Sequence, residues 1–373
     1  MLFRLILILA LICASTNVKA QIENTGMTDR SDSVELGKLK IYGCVDVYYG
    51  HDLGQTSGID RPYAASSARL HEITINMAYI SFKYENEKVR VLFTPGFGTY
   101  INTNNAKEPG SLKNILEANA GIRLSKKKEV WLDAGIFGAP YTNETALSKD
   151  QIMYSRSLSA ENSPYYLSGV RLTYPLSKKV NGYLYLVNGW QQMADKNKPL
   201  AIGTQIEYRP TNKLLINWST YVGSEQTSAK PYYRKRYFND LYVISKPNKK
   251  ITITSCVSFG WQEVKDTITN NIGYHKWWQI NVMGKYQFTP TISLAGRLEY
   301  FEDMDEVIIA PATSSPFFST YGSSFGFDYK IGRNALFRLE GRNYFSAEKV
   351  YPDHKKGSNN TYQFFIGNIT VWF

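Results

Sequence analysis

Segments of alternating polarity follow one another down this chain, and the connections between them alternate in length. From residue 38 onward sixteen such segments can be drawn: 38–50, 71–84, 88–100, 115–125, 129–137, 164–176, 180–191, 198–209, 213–224, 233–246, 249–262, 274–288, 291–302, 317–331, 334–345 and 361–373. The connections at 85–87, 126–128, 177–179, 210–212, 247–248, 289–290 and 332–333 are short, and those between them, such as 51–70, 101–114, 138–163 and 346–360, are long. A soluble meander has no reason to keep one edge tight and the other loose. A sheet threaded through a bilayer does, with tight turns on one side and long loops on the other. The pattern therefore predicts an all-β fold, a transmembrane antiparallel barrel of about sixteen strands, whose even count returns both ends of the sheet to the same side.

The two faces of each segment agree with this. In 334–345 one parity reads Ala335, Phe337, Leu339, Gly341 and Phe345, and the other carries Arg338, Glu340 and Arg342. In 115–125 Leu116, Ala118, Ala120, Ile122 and Leu124 oppose Glu117, Asn119 and Arg123, and in 291–302 Ile292, Leu294 and Leu298 oppose Arg297 and Glu299. Successive strand side chains point to opposite faces, so charges on one parity imply a polar lumen and an apolar, lipid-facing wall. Candidate pore-lining residues are Arg123, Arg171, Arg297, Arg338, Arg342, Glu117, Glu299 and Glu340. Aromatic residues make up 14% of the chain, which suits girdles at the two interfaces.

Residues 1–20 read as a secretion signal, with Arg4, an apolar run and a small-residue pattern at Val18-Lys19-Ala20; 21–37 read as a short polar lead. Without Arg4 and Lys19, the 43 basic residues against 32 acidic ones leave an excess of nine positive charges, which favours anionic partners. Cys44 and Cys256 read as incidental small strand residues and not as a disulfide framework. His51, His71, His275 and His354 fall in or beside long connections without a triad or metal spacing, so no enzyme, metal or cofactor is implied. The run Arg234-Lys235-Arg236 amid tyrosines has the look of a nucleic-acid patch, but on a secreted barrel its place is the outer rim, with two cations at the pore mouth and one toward lipopolysaccharide.

Two further features stand out. The long connection 138–163 carries Lys149, Asp150, Arg156 and Glu161 and is a candidate constriction loop, because a barrel this wide needs something folded inside to be selective. The final strand alternates to an aromatic end at Phe373, a candidate signal for the barrel assembly machinery.

The stretches Leu112 to Gly121, Trp131 to Gly135, Ser155 to Tyr166 and Asn188 to Gln191 resemble the OmpL-like beta-barrel porins of Bacteroidota, the Ala160-Glu161-Asn162-Ser163-Pro164-Tyr165-Tyr166 segment most specifically. The resemblance covers the mature chain and implies an outer-membrane porin of a Gram-negative bacterium. It supplies no solute and no established site residues. The expected function is a passive channel for small hydrophilic solutes with an anion bias, as a monomer or a homotrimer; the rivals are a structural or adhesive barrel with a plugged lumen and an outer-membrane hydrolase.

Overall fold

The structure, a computed structural model, describes residues 34–36, 38–53, 58, 60–353 and 357–373. The expected signal, residues 21–33 of the polar lead and His354 lie outside the described residues. The end of that lead, Val34–Leu36, folds back antiparallel on the first barrel strand, with Val34 opposite Ile41.

Sixteen strands form the wall: β1 Leu39–Asp52, β2 Ile73–Glu85, β3 Val89–Phe97, β4 Ile115–Arg123, β5 Trp131–Gly138, β6 Tyr166–Pro175, β7 Val180–Val187 and β8 Ala201–Thr211, followed by β9 Leu214–Ser224, β10 Tyr233–Ser245, β11 Ile251–Lys265, β12 Ile272–Gln287, β13 Ile292–Asp303, β14 Phe318–Ile331, β15 Ala335–Phe345 and β16 Thr361–Trp372. Each pairs antiparallel with its sequence neighbour, and β16 closes the ring on β1 from Phe364 opposite Asp52 to Trp372 opposite Cys44. Closure matters because every backbone group left unpaired in hydrocarbon costs several kcal/mol, and a ring has no edge. No helix among the described residues is long and apolar enough to cross a membrane.

Burial follows the predicted parity. On β15 Arg338, Glu340 and Arg342 are 1%, 2% and 3% exposed, whereas the intervening Leu339 is 49% exposed. Such a barrel is expected to migrate faster unheated than boiled in detergent electrophoresis, because the closed ladder resists unfolding until heated. Identical migration would contradict the closed ring.

The structure corrects the sequence reading in three places. Strand β3 stops at Phe97, not at residue 100. Gly98 takes φ +129, and a Cβ there would lie 2.4 Å from the Asn76 carbonyl oxygen, so the chain leaves the ladder and turns into the helix α1, Thr99–Asn104. Strand β7 likewise ends at Val187, before Gly189 at φ +156, and not at 191. The length alternation is also looser than the sequence suggested, since residues 124–130 on the short side outrun 266–271 on the long side.

The aromatic residues are not all in girdles. Toward the long-loop end the lumen is filled by a core containing Tyr48, Phe137, Tyr141, Tyr154, Tyr185, Tyr221, Phe238, Trp277, Phe318, Tyr344, Tyr362 and Phe364, joined by Val307, Ile309 and Tyr351 from the loops. Tyr351 packs against both Tyr344 and Tyr362 at centroid distances of 5.8 and 5.7 Å, and those two rings lie 6.3 Å from each other. Apart from Tyr141, Tyr154 and Tyr351, which belong to loops, these rings share the inward parity of the charged residues; they only lie closer to the outer end of each strand.

Candidate functional site

The connection after β5 runs inside the barrel, and its hydrogen bonds trace the route. Asn217 Nδ2 and Ser219 Oγ of β9 donate to the Pro140 carbonyl, and Tyr141 Oη donates to the Thr220 carbonyl. The Thr142 amide donates to Asp240 of β10 at 3.0 Å, and Asn143 Nδ2 reaches Thr254 of β11 and Asn281 of β12 at 3.0 and 2.9 Å. The chain then crosses the lumen. Ser148 Oγ meets Thr370 of β16 at 2.8 Å, Tyr154 Oη donates to Asp46 of β1 at 3.2 Å, and the short helix α2, Leu158–Asn162, returns along β11 to β13.

Along β13 to β16 the wall grips the backbone of this loop with charge. Arg338 donates to the carbonyls of Ser148 and Gln151 at 2.6 and 2.7 Å, Arg297 to that of Ser155 at 2.7 Å, and Arg342 to that of Arg156 at 2.6 Å. Glu340 accepts from the Ser155 amide and Glu299 from the Leu158 amide, both at 2.7 Å. These groups also neutralise one another: Arg342 pairs with Glu299, and Arg297 lies 3.2 Å from Glu340 and 3.3 Å from Glu144 of the loop. Burial pushes the Glu144 carboxyl above its usual range, and Arg297 opposes that shift. Hydrogen bonds to charged groups contribute about 1.5–3 kcal/mol each, against about 0.5–1.5 for neutral ones, so this half of the loop is held more firmly than residues 140–143.

The predicted residues can now be placed. Arg297, Arg338, Arg342, Glu299 and Glu340 do face inward, but they border the loop and not free water, because the loop covers them. Arg171 shares Asp133 with Arg90, at 3.1 and 2.5 Å. Glu117 is buried against the entrance to the loop, near Gly138. Arg123 sits at the short-turn rim, 2.7 Å from Glu129, and contributes nothing to the interior. Of the loop residues, Lys149 pairs with Asp150 at 3.0 Å. Arg156 is buried between Tyr100 and Tyr165 and donates to Tyr100 Oη at 3.1 Å. It does not form an ion pair with Glu161, whose carboxylate takes the amides of Ala65 and Ser66 at 2.9 and 3.1 Å and so ties this loop to the one after β1. Asp46, Glu144, Asn143, Asp240 and Asp133 were not singled out from the sequence, although strand parity places the three aspartates on inward faces. Arg236 of the basic run turns inward between Trp190 and Trp277. No group of three or more His, Cys, Asp or Glu suited to a metal exists among the described residues.

Below the loop, toward the short turns, lies an open vestibule of about 1220 Å³. Its inner end is formed by Gly138 to Thr145 and Lys149 to Ile152 together with Arg156 and Tyr165; Arg90, Arg171 and Glu207 line one side, and Lys246, Lys249, Lys250 and Lys285 the other. The molecule is thus a barrel with an open inner half, a folded loop across its middle and a packed outer end.

A family model described as Putative beta-barrel porin-2, OmpL-like matches residues 38–373, the whole barrel. The chain belongs to that family. It is an outer-membrane porin. No curated protein matches it. Among solved structures, the outer membrane channel DcaP of Acinetobacter baumannii superposes with a TM-score of 0.63 at 10% identity, over 93% of this chain and 99% of that one. The Salmonella typhi OmpF complex with daunomycin gives 0.59 at 12% identity, over 90% and 97%. An anion-selective porin from Comamonas acidovorans gives 0.58 at 8% identity, over 92% and 100%. At these identities the likeness is one of fold.

The porin's last residue closes its seam. The amides and carbonyls of Gly43 and Phe373 exchange hydrogen bonds of 3.1 Å, and the Phe373 ring lies where a Cβ on Gly43 would be, 2.7 Å away. Deleting Phe373 is expected to cut the amount of heat-modifiable barrel in the outer membrane while leaving secretion intact. Folded protein at wild-type abundance would count against an assembly role.

Proposed function

We propose that this porin is a passive diffusion channel for small hydrophilic solutes with a modest preference for anions. The observation that carries the preference is the vestibule, where cations outnumber carboxylates and Lys246, Lys249 and Lys250 stand exposed at the mouth. The charges in mid-barrel contribute less, because Arg297, Arg338 and Arg342 are matched by Glu299, Glu340, Asp328 and Glu144. The mechanism is sieving plus electrostatic bias, with no covalent step. In a salt gradient across a planar bilayer the reversal potential is expected to show anion preference at low salt that fades as salt rises. Cation preference would refute it.

The packed outer end favours a second reading, a structural barrel kept shut by its own loops. Absence of any conductance in purified, heat-modifiable protein would select it. The proposed surroundings are outer-membrane lipid and lipopolysaccharide, and the barrel assembly machinery during insertion. The proposed assembly is a homotrimer, the form one solved OmpT structure of Vibrio cholerae takes; a monomeric mass in detergent would overturn this.

A further inference from the structure

The connection after β5, the third long loop of the chain, is held differently along its two edges. Against β13 to β16 it is clamped by arginines and carboxylates. Against β9 to β12 nearly every contact is between neutral groups: Asn217, Ser219, Thr254, Ser258 and Asn281 supply amides and hydroxyls, and Asp240 is the one acid bonded to the loop. Charge-assisted hydrogen bonds are about twice as strong as neutral ones, so residues 140–143 are the edge that yields first. One detail marks this edge further. Thr142 holds φ +64, a costly conformation for a β-branched residue.

The vestibule ends at this same edge, with Tyr141, Thr142, Asn143 and Thr254 in its wall. Beyond them the neutral row continues outward, Gln279 donating to Ser258 Oγ at 2.9 Å. It reaches Arg236, whose guanidinium lies 5.0 Å from the half-buried Trp190 ring and 5.6 Å from Trp277.

On the reading that the porin conducts, we infer that solute passes between residues 141–143 of the third loop and the inner face of β9 to β12, and that this segment swings to admit it. The lane selects for uncharged, polyhydroxylated solutes of sugar-like chemistry. Amides and hydroxyls exchange hydrogen bonds with solute hydroxyls without favouring either sign of charge, and the rings of Tyr141, Trp190, Phe238 and Trp277 at the outer end suit the apolar C–H faces of a sugar ring.

The test places single cysteines on the two edges of the loop. In a Cys44→Ser, Cys256→Ser background, Ser258→Cys or Gln279→Cys on the lane is compared with Ser324→Cys or Thr370→Cys on the clamped edge. All four positions are inward and buried, and heat-modifiable migration checks that each variant is folded. A small methanethiosulfonate reagent is expected to remove most of the bilayer current of the lane variants, reversibly with reductant, and to leave the clamped-edge variants unchanged. Block confined to the clamped edge, or equal on both, overturns the lane. Absence of current before any reagent overturns the channel reading itself. In liposome swelling, a sugar alcohol is expected to enter faster than the corresponding sugar acid anion, and faster entry of the acid overturns the solute class.

Discussion

Removing residues 142–159 is expected to raise single-channel conductance several-fold and to admit larger solutes. A wall of sixteen strands encloses a space wide enough for an aqueous channel, and here the space is occupied by the loop. Deletion leaves the wall able to stand. Its strands are joined by their own ladders, Arg342 keeps Glu299, Arg297 keeps Glu340, and water reaches whatever hydrogen-bonding capacity the loop had satisfied. Larger single-channel steps beside an unchanged heat-modifiable band are the expected record. Unchanged conductance in a folded variant would place the resistance of the pore elsewhere.

Arg342→Leu is expected to loosen the same loop without cutting it. Arg342 holds Glu299, Ser155 Oγ and the Arg156 carbonyl, and its loss leaves Glu299 buried with Arg297 Nε at 3.8 Å as the nearest cation. Stranding one partner of a buried pair costs about 3–5 kcal/mol. The barrel does not bear that cost, because an undocked loop lets water reach Glu299. Docking therefore weakens, by about two to three orders of magnitude at about 1.4 kcal/mol per factor of ten. The readouts are longer open events and trypsin cleavage within the loop at Lys149 or Arg156, with the wall strands still protected. Because Arg342→Leu/Glu299→Leu removes the stranded charge, the double variant should be milder than Arg342→Leu alone. A more severe double variant would mean that the two residues do not act as a pair.

The wall was legible because strand parity has a period of two and needs no knowledge of partners. Arg338, Glu340 and Arg342 announce an inner face by themselves. What parity does not carry is depth. Tyr344 lies two residues beyond Arg342 on the same face, yet it belongs to a dry core, and nothing local separates a ring at an interface from a ring turned into the lumen. The third loop stood out by its length and charge, but the way it is held did not. The bonds from Arg338 to the Ser148 and Gln151 carbonyls join residues far apart in the chain, and a carbonyl acceptor is the same at every position. The opposite charges of Arg156 and Glu161 suggested a facing pair. Glu161 is instead satisfied by the amides of Ala65 and Ser66, which leave no trace in residue type.

The loop lies early in the sequence, and almost everything that holds it comes later. Its partners are mostly on β9 to β16, with Asp46 on β1, the segment around Ala65 and Tyr100 of α1 as the early ones. A nascent sheet that has reached only β8 offers the loop few of its final contacts. Each added strand supplies another: Asp240, then Thr254, Asn281, Arg297 and Glu340. The pairing that brings Thr370 to Ser148 is the one that zips β16 onto β1. Sealing the cylinder and seating the loop are therefore the same final event, and a barrel stalled short of its last strand lacks both its seam and its stopper.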